Sequence, residues 1–208
     1  MHKVLLLLIW SLAAALLVQA QTTPLEQFEA GENAYGYGFK GGIGLSSPYA
    51  DEWNDRSGTY GGLHDRVGLQ LGAVVMLPMN KYWVFRPELN YSSQGFNLKS
   101  FDSANYYERR VKQNYIQLPL MLQFTISKGV AMYTGPKVGY MVNNGEGFKR
   151  ADLAWDIGLS TLNTWNWGFD VRYSSGFLNI APDHHPTLAR VKNKVLQVGL
   201  VYLFTVKR

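Results

Sequence analysis

The chain has 208 residues, no cysteine, and a formal net charge of +5 from 20 Lys+Arg against 15 Asp+Glu. The length suits one domain, and the absence of Cys excludes disulfide staples, thiolate chemistry and a lipid-modified N-terminal cysteine. The positive balance is mild and no basic run accompanies it, so no nucleic-acid partner is expected.

Residues 1–20 read as a secretory signal peptide. Lys3 supplies the basic start, Val4 to Val18 is almost wholly apolar, and Val18-Gln19-Ala20 offers small residues at a cleavage site. That run is short of the ~20 residues a spanning helix needs, and no later stretch reaches that length. An exported chain without a second helix is either soluble or a β-barrel. Aromatic residues at 14%, 21 glycines and only 17% charged residues favour the barrel. The expected organisation is a lead over 21–34 and a barrel domain over 35–208.

Eight amphipathic segments follow, at 35–46, 66–77, 82–96, 113–126, 130–142, 151–162, 166–177 and 194–206. Their connections alternate. Long polar ones span 47–65, 97–112, 143–150 and 178–193; tight ones run from Pro78 to Lys81, Ser127 to Gly129 and Asn163 to Trp165. Outer-membrane barrels show this alternation of long extracellular loops with short periplasmic turns. The expected fold is therefore an all-β, eight-stranded antiparallel up-and-down transmembrane β-barrel with both termini periplasmic.

Facing follows from the strand period of two. Leu153-Ala154-Trp155-Asp156-Ile157-Gly158-Leu159-Ser160 alternates large apolar residues with small or acidic ones, and Trp167-Gly168-Phe169-Asp170-Val171-Arg172-Tyr173 repeats the pattern. A membrane barrel turns the apolar set to lipid and the polar set to the lumen. Leu69, Leu71, Trp83, Leu89, Leu118, Leu120, Leu200 and Phe204 are thus assigned outward. Tyr82, Trp83 and Trp165 fall near the short turns, where an aromatic girdle belongs. Inward come Lys40, Arg86, Lys137 and Arg172 with Glu88, Asp152, Asp156 and Asp170. Eight strands enclose only enough room for side chains, and buried charges are costly unless paired. These eight residues are therefore expected to form an ionic network that plugs the lumen.

The chain resembles the small outer-membrane β-barrel proteins of Bacteroidetes, the porin-like family that includes PorT-type proteins. Phe39-Lys40-Gly41-Gly42-Ile43-Gly44-Leu45, Phe85-Arg86-Pro87-Glu88-Leu89-Asn90-Tyr91 with Ser92-Ser93-Gln94-Gly95, and Tyr115-Ile116-Gln117-Leu118-Pro119-Leu120 carry the likeness. So do Tyr133-Thr134-Gly135-Pro136, Gly176-Phe177-Leu178-Asn179-Ile180 and Leu200-Val201-Tyr202-Leu203-Phe204. The resemblance implies an outer-membrane location and no enzymatic activity. Its terminal Tyr202-x-Phe204 resembles the signal read by the barrel-assembly machinery, though four residues follow it here.

No catalytic, cofactor-binding or metal-binding residue stands out. His184-His185 could bind a metal but lacks further ligands at the usual spacings, so a polar loop is the plainer reading. Ser57, His64 and Asp65 could be imagined as a lipid-hydrolase triad, yet no motif orders them. Alternating glycines over Tyr35 to Gly44 fit strand packing better than a phosphate loop. Pro87 and Pro119 inside strands point to local irregularity. Tyr106-Tyr107-Glu108-Arg109-Arg110, with Gln94, Asn97 and Lys99, offers a contact surface for protein, glycan or lipopolysaccharide phosphate; an ordinary girdle with a solvated loop is the plainer alternative. The expected role is structural or interaction-based, with the bilayer, lipopolysaccharide and the assembly machinery as partners. The alternatives are a small-solute porin, a lipid-modifying enzyme and a secreted lipocalin-like binder.

Overall fold

A computed structural model describes residues 34–47, 49–50, 60–80, 82–102, 105–127, 129–143, 149–179 and 191–207. The expected signal peptide and lead, as well as Ser57, His184 and His185, lie outside them. Eight long strands build the molecule: β1 (Ala34–Ser46), β2 (Arg66–Pro78), β3 (Trp83–Asp102), β4 (Asn105–Ser127), β5 (Val130–Met141), β6 (Ala151–Thr161), β7 (Trp167–Gly176) and β8 (Lys194–Lys207). Each pairs antiparallel with its neighbours in sequence, and β1 pairs with β8 from Ala34↔Lys207 to Ser46↔Val195. The sheet is thus closed, which leaves no open strand edge in hydrocarbon. With the register of the flanking pairs carried across two gaps in the ladders (Met76 to Arg86 and Met121 to Gly135), a path around the ring leaves β1 at Gly36, passes Met76, Arg86, Met121, Gly135, Asp156, Ser174 and Val195, and rejoins β1 ten residues on at Ser46. That stagger, with eight strands, sets a tilted and narrow barrel whose interior side chains fill.

Side chains alternate as the period of two demands. On β6 buried and exposed residues alternate from Ala151 to Ser160, and β5 and β7 do likewise. Outward-facing Leu69, Leu71, Leu89, Leu118, Ile157 and Leu200 are exposed, as a lipid-facing wall requires. Aromatic side chains cluster near the turn end of this wall. Trp83 packs on Phe124 at 5.0 Å, Trp167 on Tyr202 at 5.0 Å, and Tyr37 stacks on Phe204 at 5.3 Å.

The short turns are held by asparagine side chains. The Asn80 Oδ1 accepts from the backbone N–H of Tyr82 and Trp83 at 2.9 and 3.0 Å. The Asn163 Oδ1 does the same for Trp165 and Trp167, both at 3.0 Å. In that turn Asn166 takes a positive φ of 64°, a conformation asparagine tolerates better than most residues.

Three expectations about the loops are corrected. Residues 97–112 are not a loop. β3 and β4 run on as a hairpin to the pair Asp102↔Asn105. Within 47–65, Tyr60–His64 forms a strand against β3, from Tyr60↔Ser100 to His64↔Asn97. Tyr49–Ala50 and Val191–Lys192, both placed in loops, also pair with each other. The physical reason is that the lipid-facing apolar pattern stops where the membrane stops. A strand in water needs only its backbone ladder and no longer shows that pattern.

The ladders are interrupted in one sector. Register pairs are missing between Val74↔Glu88 and Leu77↔Phe85, between Pro87↔Leu120 and Asn90↔Gln117, and between Pro119↔Lys137 and Leu122↔Thr134. Each gap contains a proline (Pro87, Pro119 or Pro136), which has no N–H to donate to the neighbouring strand.

Candidate functional site

The lumen is layered along its axis. At the turn end Val74, Met76, Val84, Val201 and Leu203 form an apolar floor. Above it lies a layer of charge. Lys40 comes from β1, Arg86 and Glu88 from β3, Lys137 from β5, Asp156 from β6, and Asp170 and Arg172 from β7. All are buried, and the side chains of Arg86, Glu88, Asp156 and Arg172 are 0% exposed. Glycines opposite them make room. Lys40 faces Gly72, Asp156 faces Gly135, Arg172 faces Gly158 and Asp170 faces Gly199 in the strand register.

Seven of the eight sequence-derived residues join in one connected cluster. Glu88 is its hub. Its Oε1 lies 2.8 Å from Arg86 Nε and 2.7 Å from Arg172 Nη2, and its Oε2 lies 3.1 Å from Lys40 Nζ. Asp170 takes Arg86 Nη2 at 2.8 Å and Lys40 Nζ at 3.1 Å. Asp156 takes Lys137 Nζ at 3.1 Å and Arg172 Nη1 at 3.4 Å. Buried charge-assisted contacts of this kind hold geometry tightly, because each partner lost would leave an uncompensated charge.

Asp152, the eighth residue, stands apart. It sits closer to the loops and accepts a hydrogen bond from Asn193 Nδ2 at 3.4 Å, with no ion pair among the described residues. The cluster proper therefore sets four cations against three carboxylates.

Sequence reasoning missed Tyr133, an inward aromatic residue on β5. The guanidinium carbons of Arg86 and Arg172 lie 4.6 and 5.0 Å from its ring centroid, and Arg172 Nε donates to its hydroxyl at 3.2 Å. A π-face close to both guanidiniums offsets part of their mutual repulsion. Gly158 makes this arrangement possible, because a Cβ there would collide with the Tyr133 phenol. The available signal was the inward parity of Tyr133 in an otherwise small and polar lumen face.

Nearer the loops the layer changes again. Gln70, Gln94, Gln113, Gln117, Gln197 and Asn90 are buried. The carboxamides of Gln113, Gln117 and Gln197 have neither oxygen nor nitrogen hydrogen-bonded among the described residues. Of the other residues weighed, His64 ends the strand Tyr60–His64, Asp65 follows it, and the 106–110 run lies on β4 beyond the barrel. Among the described residues no group of His, Asp or Glu is arranged to hold a metal.

Comparison with known proteins fits this architecture. The family described as "Outer membrane protein beta-barrel domain" matches residues 19–185. The chain belongs to that family. It is an outer-membrane β-barrel protein of eight strands. Similar solved structures include Ail, the attachment invasion locus protein of Yersinia pestis, at 17% identity over 81% of this chain and 98% of that one, with a TM-score of 0.46. Neisserial surface protein A is 15% identical over 83% and 100%, with a TM-score of 0.49. OprG from Pseudomonas aeruginosa is 14% identical over 84% and 98%, with a TM-score of 0.45. No curated protein matches the chain in sequence.

Proposed function

We propose that this protein is a non-conducting, non-enzymatic outer-membrane barrel, a rigid frame whose lumen is plugged by ions and whose loop-side surface makes contacts. In this reading residues 1–20 direct export, both termini are periplasmic, the assembly machinery inserts the chain, and lipopolysaccharide surrounds the outer rim. A PorT-type role in Bacteroidetes is the narrower form of the proposal. The observation that carries it is the cluster of Lys40, Arg86, Glu88, Lys137, Asp156, Asp170 and Arg172. It bridges five strands at one level, with Glu88 and Asp170 each touching at least two cations. Such a cluster blocks the bore sterically and fixes charges where a permeating ion would have to pass. The hairpin running to Asp102↔Asn105 supplies the contact surface.

Planar-bilayer recording tests the plug. Wild type should show no steady conductance, whereas Arg172→Ala combined with Glu88→Ala should open measurable channel events. A large steady conductance in wild type would favour a small-solute porin instead. That second reading draws on the unpaired carboxamides of Gln113, Gln117 and Gln197, which would suit polar solutes.

A further inference from the structure

The proline sector has a counterpart on the outer wall. A groove of ≈ 610 Å³ crosses β2 to β6 there, lined by Leu77, Phe85, Leu120, Leu122, Pro136 and Trp155. Its volume falls within the ~300–1,000 Å³ of ordinary small-molecule sites. The groove takes in the ladder gap at Pro136 and borders those at Pro87 and Pro119, where three neighbouring strands each lack a backbone donor. One of its walls is fixed. Trp155 Nε1 donates to Thr134 Oγ1 at 2.7 Å, and that hydroxyl donates in turn to the Asp156 carbonyl at 3.0 Å. The indole therefore stands braced beside Pro136 instead of swinging with the lipid.

The groove is continuous with the exposed apolar wall of the barrel, whose surroundings in an outer membrane are lipid. An unfilled concave surface in hydrocarbon forfeits dispersion contacts along its whole lining. A fixed, concave, apolar seat also gives a chain more contacts than the convex wall elsewhere. The groove begins beside the β2–β3 turn at Leu77 and Pro78 and rises only to Trp155, midway along β6. Tyr82 and Trp83 at that turn mark the headgroup level on this side.

We propose that this groove seats an acyl chain of a glycerophospholipid from the leaflet on the turn side of the barrel, held longer than lipid elsewhere on the wall. Naming that leaflet as phospholipid rests on the reading that the short turns are periplasmic. Protease access to those turns in intact cells tests that reading separately.

The full chain, purified in mild detergent and analysed by native mass spectrometry, provides the test. Wild type should retain a phospholipid adduct. Leu120→Trp, which fills the groove, should lose it, and Val198→Trp on β8 should keep it. All three proteins should first show the heat-dependent gel shift of a closed barrel. If Leu120→Trp fails that shift, Thr134→Ala, which releases the Trp155 wall, takes its place and should weaken retention. Absence of an adduct from wild type, equal retention in the groove and β8 variants, or lipopolysaccharide retained in place of phospholipid would each overturn the proposal.

Discussion

The two polar layers of the lumen are only a few residues apart along the strands, yet they solve burial differently. In the charged layer every side chain finds a partner within the protein, and Glu88 alone meets three cations. In the carboxamide layer Gln113, Gln117 and Gln197 find none among the described residues. A buried charge without a partner is prohibitive, whereas an unpaired amide costs about 1–3 kcal/mol. The lumen can thus tolerate slack near the loops and none at its middle. Rigidity is concentrated where five strands are cross-linked by ions.

The strongest test of that contrast is Glu88→Gln. It keeps the shape and removes the charge shared by Lys40, Arg86 and Arg172. Breaking a buried ion cluster from one side costs about 3–5 kcal/mol, so the midpoint of the heat-dependent gel shift should fall by the largest margin of any single change considered. Next comes Gly158→Val, which drives a side chain into the Tyr133 phenol that both arginines contact. Overpacking there should cost about 1–3 kcal/mol, seen as a lower urea midpoint in vesicles. Asp152→Asn should be milder, within about 0.5–1.5 kcal/mol, because that carboxylate accepts from the Asn193 amide and forms no ion pair among the described residues. A loss as large as that of Glu88→Gln would place Asp152 functionally inside the cluster. Smallest of all is Gln113→Leu. Replacing an unpaired amide by an apolar group of similar size should be neutral or slightly stabilising in the same unfolding assay. A clear destabilisation would mean that the carboxamide layer is hydrogen-bonded after all.

Much of this frame is legible in the alternation of residues. Leu153 to Ser160 reveals its two faces because lipid on one side and packed side chains on the other impose opposite chemistry at every second position. Strand ends near the short turns are legible for a similar reason, since Asn80 and Asn163 are turn residues. The far ends of β3 and β4 are not, because beyond the membrane nothing requires Leu98, Phe101 or Tyr107 to alternate with polar neighbours. The inward parity of the charged residues is readable, but their pairing is not. Lys40 and Asp170 meet across β8, whose residues at that level are Val201 and Gly199, and that depends on the stagger of the closed ring. Asp152 has the same parity as Asp156, yet four residues along a strand leave it without an ion pair to the cluster.

The seam between β1 and β8 bears on how the barrel comes into being. The first strand of the barrel pairs over its whole length with the last, so its edge has no partner until the end of the chain has been synthesised and delivered. Until then every intermediate carries two unsatisfied edges, which hydrocarbon does not tolerate. Insertion into hydrocarbon and closure of the ring are therefore coupled unless another protein covers the two edges. The residues that join the ring, Gly42 against Gly199 among them, allow the two backbones to approach closely when the ends finally meet.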